Sequence, residues 1–576
     1  MGMSEERKDQ DNNARKARGP RKRDVQAVVD ENGMSIASKW KSGLLSLIFS
    51  RFALIFGMLV LEAAVILMIW SMFDEMLTKL SAWGITAVGI GTLLYLINTD
   101  IDATGKITWM LIIAVLPFFG ALFYFWTRME FGHRRIAARV RQITDLSRDT
   151  LQQDEDVYKR LKRADRDSAS IASYTVKAGN FPVYENTKVT YFPFGQDKFE
   201  ALLVRLEGAK KFIFLEYFII QEGYMWGKIL EILSRKVQEG VEVRVLFDGT
   251  NFLSKVPADY HERLRSLGIQ CRVWSPLRPI ITSSYNYRDH RKILVIDGEV
   301  AFNGGVNLAD EYINRTHPYG VWKDTAVMVE GEAVTSFTLM FLTTWNASSV
   351  SPGERQKKRL SEEERKAVEE DIKASTRESI NSYFPQQVPV PRGSGGFVLP
   401  YGDSPLDEYK VGEMIYMDVL NTAEDYVYMM SPYLILDGEL ETALKFAAQR
   451  GVDVRLILPG VPDKKAVFAL AKATCKSLIK GGVKIYTYTP GFVHAKVFVS
   501  DDRKAIVGTI NLDYRSLYHH FECATYMVDT GCVSDIKEDY FKTLEDCEEI
   551  TLETLRNESI ITKATGAVLK MIAPML

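Results

Sequence analysis

Three long apolar stretches stand close together near the start of the chain. Phe52–Phe73 runs 22 residues with one charge, Glu62, Leu80–Ile97 runs 18 with none, and Ile107–Trp126 runs 20 with none. About 20 apolar residues span a bilayer core, so the pattern predicts an α-helical transmembrane region. Leu80–Ile97 and Ile107–Trp126, joined by NTDIDATGK, read as a helical hairpin. Phe52–Phe73 reads as a third span or an embedded helix. Cations are frequent before Phe52, and Arg128, Arg134, Arg135, Arg139 and Arg141 cluster after Trp126. The positive-inside rule places both flanks in the cytoplasm, which two spans satisfy and three do not. The rest of the chain is then expected on the cytoplasmic side of the membrane.

Beyond a charged, helix-prone connector the period changes. KFIFLEYFII, Lys211–Ile220, is a β-branched and aromatic run that predicts a buried strand. Met225–Glu239 follows as an amphipathic helix, and VEVRVLFDG as a strand ending in a turn. The same order recurs as YVYMMSPYLIL at Tyr426–Leu436, a helix over Gly438–Arg450, and VDVRLILPG. EGVEVRVLFDG (Glu239–Gly249) lies over RGVDVRLILPG (Arg450–Gly460), and LGIQCRVWSP (Leu267–Pro276) over GGVKIYTYTP (Gly481–Pro490). This is an internal duplication of an α/β lobe of roughly 150 residues.

The resulting division is a basic, disordered tail at 1–45, a membrane region at 46–130, the connector at 131–180, and lobe one at 181–348. A charged linker at 349–395, lobe two at 396–552 and an amphipathic C-terminal helix at 553–576 complete it. Ile560, Ile561, Ala564, Val568, Met571 and Ile572 share a helical spacing, which suits a core-packing helix or one lying at a bilayer surface. KARGPRKR in the tail lacks the apolar core of a signal peptide. A net charge of −2 argues against a nucleic-acid partner. The five cysteines contain no C-x-x-C and read as unpaired thiols. No metal-ligand motif is present either, so no cofactor is expected.

Chemistry is concentrated in a pattern that occurs twice, H-x-K-x4-D-x6-G-x2-N. The first copy holds His290, Lys292, Asp297, Gly304 and Asn307, and the second His494, Lys496, Asp501, Gly508 and Asn511. HRKILVID and HAKVFVSD read as strands, where residues two apart share a face, so each histidine projects beside its lysine. An imidazole next to an ammonium suits an anionic substrate, the lysine binding it and the histidine doing proton or nucleophilic chemistry. Gly304, Gly305 and Asn307, repeated as Gly508, Thr509 and Asn511, form a turn that could aim amides at phosphate oxygens. A duplicated lobe can close with pseudo-twofold symmetry, placing the two histidines on opposite sides of one phosphorus. In-line displacement needs that arrangement.

NYRDHRKILVIDGEVAFNGGVNLADEY, GVWKDTAVMVEG, GFVHAKVFV and GTINLDYRS resemble the bacterial cardiolipin synthases of the phospholipase D superfamily. The resemblance runs from about Leu80 to the C-terminus. It implies two phospholipase D-like lobes behind a multi-pass anchor in the bacterial cytoplasmic membrane. It also implies metal-independent transfer of a phosphatidyl group between two phosphatidylglycerol molecules, through a phosphatidyl-histidine, releasing glycerol. Carried over, His290 and His494 are nucleophile and general acid/base, with the N-terminal motif supplying the nucleophile. Lys292, Lys496, Asn307 and Asn511 hold phosphate oxygens. Asp324 and Glu522, 34 and 28 residues after their histidines, resemble the carboxylates that orient the imidazoles. Asp297 and Asp501 belong to the catalytic motif and read as ties between strands. Glu216–Phe218 and Ser431–Tyr433 stand at equivalent strand ends that could line the site. A hydrolase using water, a nuclease, a phosphatidylserine-forming enzyme and an inactive membrane scaffold share the same residues. The three enzymes differ in product, and the scaffold makes none.

Overall fold

The computed structural model describes residues 27–36, 75–275, 287–348 and 373–573, a few single positions aside. The expected span at Phe52–Phe73 and most of the charged linker lie outside the described residues. Within the stretch expected to be a disordered tail, β1 (Val28–Asp30) and β2 (Gly33–Ser35) pair as a hairpin. The hairpin is held by tertiary contact. Gly33, at φ +89°, lies so close to Gly227 that a Cβ would meet the Gly227 carbonyl carbon at 2.4 Å. Ile36 donates its N–H to Glu222 at 2.9 Å and is buried.

The apolar region forms α1 (Glu75–Ile97), α2 (Ala103–Val115) and α3 (Pro117–Arg128). The single helix expected over Ile107–Trp126 is interrupted at Leu116. Pro117 has no N–H to donate and disfavours helical geometry in the residue before it, so it starts a new helix instead. Among the described residues no helix is long and apolar enough to cross a membrane. Leu96, Ile113 and Tyr124 close a small core, while Trp83, Leu94, Val115 and Leu122 are exposed. The connector contributes α4 (Phe131–Leu146).

Lobe one contains β3 (Thr187–Phe192), β4 (Phe212–Tyr217), β5 (Glu242–Asp248), β6 (Gln270–Trp274), β7 (Arg288–Asp289), β8 (Lys292–Ile296), β9 (Val300–Gly304), β10 (Val321–Lys323) and β11 (Ala326–Gly331). Lobe two contains β12 (Phe397–Asp403), β13 (Tyr426–Met430), β14 (Leu434–Ile435), β15 (Asp453–Pro459), β16 (Lys484–Tyr488), β17 (Gly491–Val493), β18 (Val497–Ser500), β19 (Lys504–Gly508), β20 (Leu512–Asp513), β21 (His520–Val528) and β22 (Cys547–Ile550). The sheet of lobe one runs β3-β11-β9-β8-β4-β5-β6. That of lobe two runs β12-β21-β19-β18-β13-β15-β16, with β22 beyond β16. The orders match strand for strand. Central strands such as β4 and β8 are buried at every position, which is why they read as unbroken apolar runs.

The two sheets face each other across a shared core. Phe214, Phe341 and Val295 of lobe one pack in one cluster with Tyr428, Val497 and Tyr540 of lobe two. The lobes are therefore halves of one body, joined by a close-packed core. At the C-terminus, α5 (Ile560–Met571) packs through Gly566 and Leu569 and leaves Ile560, Ile561, Val568 and Met571 exposed. The helix therefore has one packed face and one exposed apolar face. Thr108 of α2 donates to the Met571 carbonyl at 2.9 Å, so the two apolar surfaces adjoin.

Candidate active site

The motif histidines do not lie within continuous strands, as the period-2 pattern predicts. At each one the chain steps from the other lobe's strand to its own sheet. Arg288–Asp289 (β7) pair in parallel with His520–Phe521 of lobe two, and His290 N–H donates to the Phe521 carbonyl at 2.9 Å. Gly491–Val493 (β17) pair in parallel with β10 of lobe one, and His494 N–H donates to the Lys323 carbonyl at 2.7 Å. Lys292 and Val497 then open the buried strands β8 and β18.

This lacing crosses the carboxylates. Asp324 follows β10 and Glu522 lies on β21, so each reaches the histidine of the other lobe. Nδ1 of His290 lies 2.9 and 3.0 Å from the two oxygens of Glu522. Nδ1 of His494 lies 2.6 Å from Asp324 Oδ2. The spacing along the chain had paired each carboxylate with its own lobe's histidine, and the structure corrects that. Glu522 also accepts from the Thr509 hydroxyl. At the equivalent place lobe one has Gly305, where a Cβ would meet Asp324 Oδ1 at 2.0 Å.

Each lysine bonds back onto its own motif. Lys292 Nζ donates to the His290 carbonyl at 2.6 Å, and Lys496 Nζ to the His494 carbonyl. Lys496 Nζ is also 2.9 Å from His494 Nδ1. Burial, set against neighbouring carboxylates, lowers Lys292 to about 8. Burial lowers Lys496 to about 7, with Lys292 adding to the shift. Burial first, then the charges of Lys292 and Lys496, drives His290 well below its ordinary value. His494 falls to about 4 through burial and Lys496, with Asp324 opposing. Both imidazoles are therefore neutral near pH 7. With Nδ1–H turned to its carboxylate, each leaves Nε2 as a lone pair.

Phe218 lines the site, its ring 4.9 Å from that of His290 and 5.4 Å from Lys292 Nζ. Tyr312 and Trp322 flank His494 at 5.4 and 5.5 Å. Glu216 is buried 3.8 Å from the Arg291 guanidinium. Ser431 braces a loop, donating to the Tyr433 carbonyl at 2.9 Å. Asn307 is committed to the protein, accepting from Ile219 N–H at 3.0 Å and donating to the Tyr312 hydroxyl at 2.8 Å. Asn511 is also buried, and its Oδ1 has no hydrogen-bond partner among the described residues.

Asp297 and Asp501, grouped above with the catalytic motif, stand at the far ends of β8 and β18. Asp297, at φ +56°, accepts from the N–H groups of Lys210, Lys211 and Phe212 at 2.7–2.8 Å. Asp501, at φ +54°, accepts from those of Glu424, Asp425 and Tyr426 at 2.9–3.0 Å. They tie the turn after the motif strand to the start of its neighbour.

Sequence reasoning passed over His520, two residues before Glu522 as Trp322 is before Asp324. That matched offset was the available signal. His290, His520 and Glu522 offer ligand atoms within 4.8 Å of one another, enough in principle for a metal ion. The ammonium groups of Lys292 and Lys496, which act electrostatically on His290, oppose a cation there. The same groups suit an anion. The five cysteines are free thiols.

Comparison with known proteins matches residues 202–345 and 416–544 to a family model described as cardiolipin synthase, PLD-like domain. Residues 87–128 match one described as phospholipase D-nuclease N-terminal. An uncharacterized protein of Streptococcus mutans is 52% identical over 487 residues, 84% of this chain and 100% of that one. Cardiolipin synthase 2 of Bacillus cereus is 30% identical over 497 residues, 85% of this chain and 90% of that one. The crystal structure of a phosphatidylserine synthase from Haemophilus influenzae superposes with a TM-score of 0.52 at 13% identity. It covers 70% of this chain and 100% of that one, and its likeness is one of fold.

Proposed function

The chain belongs to the cardiolipin synthase family of the phospholipase D superfamily, and from that premise we propose that it makes cardiolipin and glycerol from two molecules of phosphatidylglycerol. The observation that carries this reading is the pair of neutral, buried imidazoles, each held by the other lobe's carboxylate. Nε2 of His290 attacks the phosphorus of the first lipid. The P–N bond forms as the P–O bond to glycerol breaks, and His494 Nε2–H gives its proton to the departing oxygen. The bound phosphodiester anion and Asp324 favour the protonated state of His494 that this step needs. A hydroxyl of the second phosphatidylglycerol headgroup then loses its proton to His494 Nε2 and attacks the same phosphorus. The P–N bond breaks and cardiolipin leaves.

The difference between the histidines supports His290 as nucleophile. Both rings face a buried carboxylate. Burial and then Lys292, Lys496 and His494 all depress His290 and drive it well below its ordinary value, which favours a neutral, attacking ring, whereas Asp324 opposes the depression of His494 and leaves it at about 4. Lys292 and Lys496 supply the positive charge for the phosphate oxygens, with Asn511 better placed to help than the committed Asn307. No metal is needed in this scheme. The exposed apolar side chains of α1–α3 and of α5 meet a bilayer, on its cytoplasmic side, so the lipid tails stay in the membrane during transfer. Labelled phosphatidylglycerol incubated with purified protein in detergent, followed by thin-layer chromatography, tests the reading. Cardiolipin is the expected product. Phosphatidic acid in its place would instead support hydrolysis.

A further inference from the structure

The pseudo-twofold axis that relates the lobes leaves one chemical mismatch beside the histidines. The carbonyls of Phe521 and Lys323 receive the His290 and His494 N–H groups, which makes those two residues equivalent. The residue before each is then His520 in lobe two and Trp322 in lobe one. Their rings occupy matched places. His520 lies 5.4 Å from His290 at an interplanar angle of 41°, and Trp322 lies 5.5 Å from His494 at 43°. An imidazole stands in one half of the site where an indole stands in the other.

We infer that His520 is a positioning residue that acts through Glu522 to hold His290 for attack, and so makes the two halves of the site unequal. His520 is buried, and its Nδ1 lies 3.6 Å from Glu522 Oε1 with no hydrogen-bond partner among the described residues. The same oxygen is 2.9 Å from His290 Nδ1, and Oε2 is taken by Thr509. One carboxylate thus faces three donors. Among the described residues Asp324 has no counterpart to the third, because the Trp322 indole N–H is buried without a hydrogen-bond partner there. Burial lowers His520 to about 3, so it presents a neutral ring with one N–H. As His290 bonds to phosphorus its ring becomes positive, and Glu522 must face it squarely. Contacts that are long in a resting site tighten as such charge develops. Closing the 3.6 Å gap would fix the rotation of Glu522 without adding charge.

This inference rests on the proposed attack by His290, so the experiment reads that step directly. The full chain in mixed micelles is given a phosphatidyl ester of p-nitrophenol, and release of nitrophenol is followed for wild type, His520→Phe, His520→Gln and His290→Ala. Loss of one hydrogen bond to a charged group predicts about a tenfold fall in kcat for His520→Phe. KM should stay within about twofold, because substrate binding is untouched. His520→Gln, whose carboxamide can donate to Glu522, should recover much of the loss at an unchanged melting temperature. Wild-type kcat in His520→Phe, or no recovery in a normally folded His520→Gln, would overturn the role of His520. Nitrophenol release at the wild-type rate by His290→Ala would instead overturn the attack itself.

Discussion

Exchanging the two buried carboxylates for their amides should separate the two steps of transfer. Glu522 and Asp324 are both fully buried, so solvent screens neither. In Glu522→Gln the carboxamide can donate to His290 Nδ1, which moves the ring proton to Nε2 and removes the lone pair that attacks. The negative charge facing the developing cation is lost as well. Where a carboxylate orients a catalytic imidazole, its amide costs about 10⁴-fold in rate, or roughly 5 kcal/mol of barrier. That loss should appear for phosphatidylglycerol and for a phosphatidyl nitrophenyl ester alike, because both need the attack. Asp324→Asn disables the proton donor at His494 instead. Nitrophenolate leaves without a proton, so Asp324→Asn should be severely slow on phosphatidylglycerol and close to wild type in the first release of nitrophenol. Burst kinetics on both substrates give the four rates. If Asp324→Asn abolished nitrophenol release and Glu522→Gln spared it, the crossed pairing or the assigned roles would be wrong.

Saturating EDTA should leave cardiolipin formation intact, and loss that returns only with one added metal would contradict the role given to the lysines. The lysines also set a pH limit. Their pKa values are depressed in the folded protein, so they carry charge only below about 8 for Lys292 and about 7 for Lys496. The value of kcat/KM, which reports the free enzyme, should therefore fall as pH rises through that window, and a flat profile to pH 9 (about one unit beyond Lys292) would refute it. Replacing Ile560, Ile561 and Val568 together by serine should weaken binding to phosphatidylglycerol vesicles in a flotation assay without lowering the melting temperature, because all three are exposed. A fall in melting temperature with unchanged binding would return α5 to a purely packing role.

What could be read from the sequence was local or repeated. The two H-x-K-x4-D-x6-G-x2-N copies and the matched phrases EGVEVRVLFDG and RGVDVRLILPG announced two equivalent lobes, whose strand orders coincide. Asp297 and Asp501 were readable as ties because a short acidic side chain at a positive φ can gather successive N–H groups. The break at Leu116 was present in the text as Pro117, but an apolar run of 20 residues outweighed it. Two features had no local signature. Crossing of Asp324 and Glu522 depends on β7 and β17 pairing with the opposite lobe, whereas distance along the chain favours the wrong partner. Ordering of β1 and β2 depends on Gly33 meeting Gly227, nearly two hundred residues away, within an otherwise basic, polar segment. Tertiary contact overrides composition there.

Direct mapping of the covalent intermediate tests the central claim, one site built from two half-motifs with His290 as its nucleophile. His494→Ala and His290→Ala are each mixed with labelled phosphatidyl nitrophenyl ester, quenched rapidly under denaturing, acid-free conditions, and digested for peptide mapping. In His494→Ala the label should accumulate on the peptide that carries His290, since the attack survives and the second proton transfer does not. His290→Ala should carry no label. An adduct on His494 in His290→Ala, with none on His290 in the first variant, would contradict the account.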